Sequence, residues 1–198
     1  RSQNSLRATS ESVDGDSDAR SELFQDGVSA EVEGFQAATV DVSSDASLQG
    51  IAQLGNAASA STSAGDADAE SSADVLQGAQ LTNLTVGGVG NVTGQATFDG
   101  SASAETVVGN SDSDADLDAS TGLDTGTVNV SSDAGLTGLS SITNVASAQS
   151  TSGGNADAEA ETDDLIGADL GSTTIGGIGT LGGQSTSNTA AQASESSI

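Results

Sequence analysis

The chain has 198 residues, a formal charge of −26, 26 glycines, and no Lys, His, Cys, Met, Pro, Trp or Tyr. Its only rings are Phe24, Phe35 and Phe98, which excludes a core built on aromatic and large aliphatic side chains. The lack of Cys excludes a disulfide framework and Cys-ligated metal, the acidic charge disfavours nucleic acid, and no apolar run approaches the roughly 18 residues of a membrane span.

Low hydrophobicity with high charge also marks disorder. Disordered chains are rich in Pro and Lys, however, and this one has neither. It also keeps an internal repeat with period-2 alternation, which a solvated tail has no reason to keep. The first residue is not Met, which implies a removed leader or a start beyond it.

Taken in chain order, the residues read as one repeat array over 1–198, with units 1–39 (partial), 40–77, 78–127, 128–166 and 167–198 (partial). Leu6 to Asp18 reads like Gly94 to Asp116 with fewer residues between. Val40-Asp-Val-Ser-Ser-Asp-Ala46 returns as Val128-Asn-Val-Ser-Ser-Asp-Ala134, an offset of 88 residues (40 to 128). Leu48-Gln-Gly-Ile51 and Asn56-Ala-Ala-Ser-Ala60 return at the same offset, as Leu136-Thr-Gly-Leu139 and Asn144-Val-Ala-Ser-Ala148. An inserted residue near Gly153-Gly154 then shifts the match to 89, so that Ala67-Asp-Ala-Glu70 aligns with Ala156-Asp-Ala-Glu159.

Within this long repeat lie four triplets of the form apolar-x-Gly-apolar-x-x-apolar: Leu48/Ile51/Leu54, Val86/Val89/Val92, Leu136/Leu139/Ile142 and Ile175/Ile178/Leu181. They suggest a half-repeat. Gly inside Val86–Val92 disfavours a helix, so the triplets are expected to be equivalent tight corners. Strict alternation in Ser111–Asp118 and Ala156–Glu161 reads as half-buried strand, with Ala, Ser or Leu on one face and carboxylate on the other. The Ala positions slip by one residue across Ala64-Gly65, which calls for a turn or bulge there. Gly109-Asn110 and Gly153-Gly154 mark turns in matching places. Short strands, Gly turns and repeats that stack on their neighbours predict an all-β fold, a β-solenoid of Gly/Ala/Ser/Asp-rich repeats. The alternative is a Gly-rich β-sandwich or jelly-roll, pilin-like subunit.

Catalysis has little material here. Without His, Cys, Lys or Tyr the usual general bases and activated nucleophiles are missing, and the chain is not expected to be an enzyme. The Gly-rich triplets lack the Lys and the strand–helix setting of a phosphate loop. Three Asn-x-Ser/Thr triplets, at Asn83, Asn91 and Asn129, are sequons that such a composition produces by chance.

The acidic alternations are the candidate site: Asp14, Asp16, Asp18; Asp66, Asp68, Glu70; Asp112, Asp114, Asp116, Asp118; and Asp157, Glu159, Glu161. Hard oxygen ligands suit Ca²⁺ or another divalent cation. In a stack, carboxylates of neighbouring strands would form ladders with a spacing of about 4.8 Å. The same pattern also reads as a solvated acidic face, and its spacing matches neither an EF-hand loop nor the Gly-Gly-x-Gly-x-Asp nonapeptide. No cofactor is otherwise required.

Gln53-Leu-Gly-Asn-Ala-Ala58 and Gly183-Gln-Ser-Thr-Ser-Asn-Thr-Ala-Ala-Gln192 resemble the repeats of secreted bacterial functional-amyloid subunits of the curli and Fap type. Curlin repeats use a Gln-x-Gly-x-x-Asn-x-Ala order; here the Gly–Asn spacing is shorter in the first stretch and longer in the second. The resemblance implies a self-assembling fibre of the extracellular or biofilm matrix, with copies of the same chain and a cell-surface anchor as partners. The function expected is a structural subunit that stacks head to tail into an extracellular filament. The alternatives are a Ca²⁺-dependent β-helical adhesin or surface-layer module, and a strand-donating pilin.

Overall fold

The computed structural model describes residues 2–23 and 31–196; Arg1, Phe24 and Ile198 are among those outside it. Ten strands follow one another: β1 (Ser2–Ser12), β2 (Ser17–Leu23), β3 (Glu31–Val42), β4 (Ala46–Thr62), β5 (Ala67–Val86), β6 (Gly90–Thr106), β7 (Ser111–Val130), β8 (Ala134–Ser150), β9 (Ala156–Ile175) and β10 (Gly179–Glu195). The described residues form no helix. One sheet has the order β1-β4-β6-β8-β10; the other has β2 and β3 side by side on β5, then β7 and β9. Every pairing is parallel, whereas the ladders of a jelly roll are antiparallel. From β3 onward consecutive strands alternate between the two sheets, and from β5 onward each strand stacks on the one two elements back, while β4 stacks on β1.

The register sets the step. Leu48 pairs with Val92, Val92 with Leu136 and Leu136 with Leu181, steps of 44, 44 and 45 residues. The extra residue of the last step falls in the turn between Ser150 and Ala156, beside Gly153-Gly154. Residues 88 apart, such as Asn56 and Asn144, therefore stand at one register position two strands apart. The expected unit boundaries at 77/78, 127/128 and 166/167 fall inside β5, β7 and β9.

The four triplets are not equivalent, which corrects the expectation. Leu48, Ile51 and Leu54 all lie within β4, whereas Val86 ends β5, Val89 is in the corner and Val92 is in β6. Val92 pairs with Leu48, the first member of its triplet rather than the last. The period-3 spacing arises twice for different reasons, once along a strand and once around a bend.

Alternation gives β4, β6 and β8 one buried and one outward face, as in the unbroken pattern of β6, whereas β10 at the edge is exposed on both. The core tapers across the section. Near the Val89 corner it is Leu81, Leu84, Val92, Leu123, Val128 and Leu136. Beyond a waist it is Leu54, Leu76, Phe98, Leu117 and Ile142, and toward the other corner only Ala. At the waist the two sheets touch backbone to backbone. A Cβ on Gly94 would lie 2.0 Å from the Gly122 carbonyl oxygen, and one on Gly138 would lie 1.9 Å from that of Gly167. No side chain fits there, so Gly recurs at that position in both sheets.

Neighbouring levels complement one another. Asn56 Nδ2 donates across the core to the carbonyls of Ser21 and Ser72 (2.7 and 2.8 Å), and Asn144 Nδ2 donates to those of Ala115 and Glu161 (2.7 and 2.6 Å). Between them sits Gly100, whose missing Cβ leaves room for the Asn144 Oδ1 and the Phe98 ring. The corners alternate likewise. Asp45 Oδ1 accepts from the Val89 amide and Asp133 Oδ1 from the Ile178 amide, both at 2.8 Å, over Gly87-Gly88 and Gly176-Gly177.

Candidate functional site

The second sheet presents the acids. Residues at i, i+2 and i+4 of a strand share a face, and parallel in-register pairing stacks those faces. Asp18, Asp68, Asp112 and Asp157 form one column; Arg20, Glu70, Asp114 and Glu159 form the next; Ser72, Asp116 and Glu161 form the third. Asp74, Asp118 and Asp163 follow two residues further along β5, β7 and β9. Partner strands lie about 4.8 Å apart, so like charges face each other along every column, which is destabilising.

At the N-terminal end the Arg20 guanidinium relieves this, with its Nη2 3.3 Å from Glu70 Oε2 and its Nε 3.8 Å from Asp18 Oδ1. Higher in the stack the acids hold their protons more tightly. Asp116 is pushed up to about 6, first by burial and then by Asp118, Asp114, Glu161 and Asp163. Burial followed by Glu159, Asp112 and Asp68 raises Asp114. Burial followed by Asp74 and Asp163 raises Asp118. Asp68 is also raised, by burial and by Asp18 and Asp112, although Arg20 opposes the shift. Glu161 is raised chiefly by the charge of Asp163.

The remaining expected residues have another role. Asp14, Asp16 and Asp66 lie in the turns at Gly15 and Gly65, where φ is +115° and +121°. Asp16 Oδ1 accepts from the Asp66 amide (3.1 Å), Asp66 Oδ1 from the Asn110 amide (2.8 Å), and Asn110 Oδ1 from the Asn155 amide (3.1 Å). Asp16 and Asp66 therefore tie one corner to the next, and Asn110 replaces Asp at the level above without losing the acceptor.

Among the described residues no three acids close around a common point that could hold a metal ion. A Ca²⁺ ion takes 6–8 oxygens at 2.3–2.6 Å, and two neighbours in a straight column, about 4.8 Å apart, could supply only part of such a shell. What the face offers instead is a dense, regular negative field that concentrates counterions.

Sequence reasoning missed Asp45 and Asp133, the corner acceptors, although the recurring Ser-Ser-Asp at 43–45 and 131–133 was a signal. It also missed Asp74 and Asp163, which follow two residues after Ser72 and Glu161 but break the alternation of their neighbours. On the same face Asp124 Oδ2 accepts from Gln77 and Gln80 (3.4 and 3.2 Å), so part of the acidic surface is bridged by amide donors. Among the described residues no helix is long and apolar enough to cross a membrane. No protein-family model matches the chain, and neither a curated protein nor a solved structure matches it.

Proposed function

We propose that this chain is a non-enzymatic structural rod, a β-solenoid that stacks end to end into an extracellular filament. The observation that carries the reading is the contrast between β10, the last strand of the sheet that contains β1, and β8 beside it. Leu136 of β8 is fully buried, whereas Leu181, its register partner in β10, is 50% exposed. A further parallel strand over β10 would cover Leu181 and pair the free edge. Unpaired edges of this kind template addition, and parallel ladders, unlike the antiparallel jelly-roll alternative, can extend along one axis without limit.

Two details shape the junction. Glu195 stands in the column of Thr62, Thr106 and Ser150, and its Oε1 accepts from the Ala156 amide at 3.2 Å. A new strand must displace that carboxylate to reach the donor. The second detail is the strand count. The sheet containing β1 has five levels and the other has four, so a second copy can continue both ladders once a terminal strand of the longer one, such as β1, lifts away.

The carboxylate columns oppose stacking, and cations or acid would favour it. Divalent ions between columns are the specific form of this, and they connect the rod to the Ca²⁺-dependent adhesin or surface-layer alternative. Electron microscopy of the purified chain with Ca²⁺, at high NaCl and near pH 4 tests the reading. Filaments support it; discrete short particles under all three conditions refute it.

A further inference from the structure

We infer that the outer face of the sheet β1-β4-β6-β8-β10 is a pairing surface for the same face of a second copy of this chain. The inference concerns association sideways to the stack and does not rest on end-to-end growth. It starts from where the charge is absent. β4 and β8 contain no charged residue, and β6 contains only Asp99 and Glu105. β10 has Glu195, in the inward column, and β1 adds Arg7 and Glu11. In the other sheet β7 alone sets Asp112, Asp114, Asp116 and Asp118 along its outer side. A chain of charge −26 thus concentrates its strand acids in the second sheet and leaves the outer face of the first with few charges.

The neutral face carries many short side chains in register, such as Thr93 on Thr137 and Ser59 on Ser103 on Ser147, with a shallow recess between Gln95, Leu139, Ser141 and Gln184. The four strands β4, β6, β8 and β10 have 17 residues each. At about 3.3 Å per residue and 4.8 Å between strands they span roughly 56 by 19 Å, about 1,000 Å². That exceeds the approximately 800 Å² per partner of a standard stable interface.

Two such faces can approach to the roughly 10 Å of packed sheets, with small side chains interdigitating as in a dry zipper. Charge decides the orientation. Pairing through the neutral faces leaves the two acidic faces about 30 Å apart, as three sheet-to-sheet spacings, well beyond the Debye length of about 8 Å at physiological salt. Pairing through the acidic faces would press the columns together.

The test uses Ser141, which is exposed at the middle of β8 and lies near the axis of a two-fold pair. Sedimentation equilibrium of the full chain is expected to give a dimer. Ser141→Asp brings two carboxylates together at the axis and is expected to weaken the dimer tenfold or more, with an unchanged strand spectrum by circular dichroism. Asp112→Ser, on the acidic face, leaves the dimer as tight or tighter. The chain has no Cys, so a single Ser141→Cys variant reports proximity directly. Under mild oxidation it is expected to form a disulfide-linked pair, and Asp112→Cys is not. A monomer at all salt concentrations overturns the proposal, as does a dimer indifferent to Ser141→Asp. So does a monomer that cosediments with an insoluble neutral polysaccharide, which would assign the face to a carbohydrate. End-to-end polymers that form without Ser141→Cys cross-links overturn it too, while leaving the stacking reading intact.

Discussion

Replacing Asp116 by Asn removes a carboxylate from the most crowded part of the acidic face while keeping its shape. Its column neighbour Glu161 is about 4.8 Å away and its strand neighbours Asp114 and Asp118 are about 6.6 Å away, from strand geometry. In water these three pairs repel by roughly 0.9, 0.6 and 0.6 kcal/mol. Salt at physiological strength cuts each to about half. The side chain is half-buried, which strengthens the pairs and adds a desolvation cost. Held at about 6 rather than 3.8, Asp116 would cost the fold about 3 kcal/mol if unscreened; solvent screening brings this to roughly 1–2 kcal/mol.

The sign follows from linkage. Because the folded form holds its proton more tightly than the unfolded one, stability is greatest below about pH 4. It declines as pH rises through about 6. Asp116→Asn is therefore expected to melt about 2–6 °C higher than the parent at pH 7.5, and the advantage should shrink toward zero near pH 4 and in high salt. Thermal melts followed by circular dichroism measure this. A variant that melts lower at pH 7.5, or keeps its full advantage at pH 4, refutes the repulsive-column account.

Three further perturbations test the interior and the ion dependence. Gly94→Ala places a Cβ where 2.0 Å separates it from the Gly122 carbonyl oxygen; forcing the waist open should cost about 3 kcal/mol or more, read by denaturant unfolding. Asn56→Ala orphans the carbonyls of Ser21 and Ser72 in the core and should cost about 1–3 kcal/mol, whereas the exposed Asn91→Ala should change unfolding by less than about 0.5 kcal/mol. Millimolar Ca²⁺ should raise the melting temperature more than NaCl of equal ionic strength if ions bridge the columns, and an equal response to the two salts would reduce the acidic face to a screened surface.

Strand alternation was legible because Ala and acid alternate strictly in Ala156–Glu161 and Ser111–Asp118, and a sheet with one solvated face demands that pattern. The turns were legible at Gly65, Gly109 and Gly153, all of which have φ in the left-handed region. The 44-residue step was hidden because stacked levels are complementary rather than alike. Asn56 sits on Gly100, Leu54 on Phe98, and Ala46 on Gly90. At positions such as Asn56, Gly100 and Asn144 a larger residue needs a small neighbour above or below, so the clearest resemblance returns at the second level, 88 residues on. The acid columns could be anticipated from the alternation, but their membership could not, because it depends on which strands pair. The alternation of β5, β7 and β9 breaks near Gly78, Gly122 and Gly167, where backbone of the opposite sheet lies against the glycine, a partner that the neighbouring residues do not reveal.

End-to-end stacking through β10 and β1 is tested most directly by comparing the full chain with one lacking residues 1–16, using electron microscopy and fibre diffraction in Ca²⁺ or at pH 4. Without β1 both sheets have four levels, so both ladders can cross a junction. The account predicts longer filaments from the shortened chain than from the full one, with an axial reflection near 4.8 Å. Particles no longer than a single chain, about 24 Å for five stacked strands, from both proteins in every condition would contradict it.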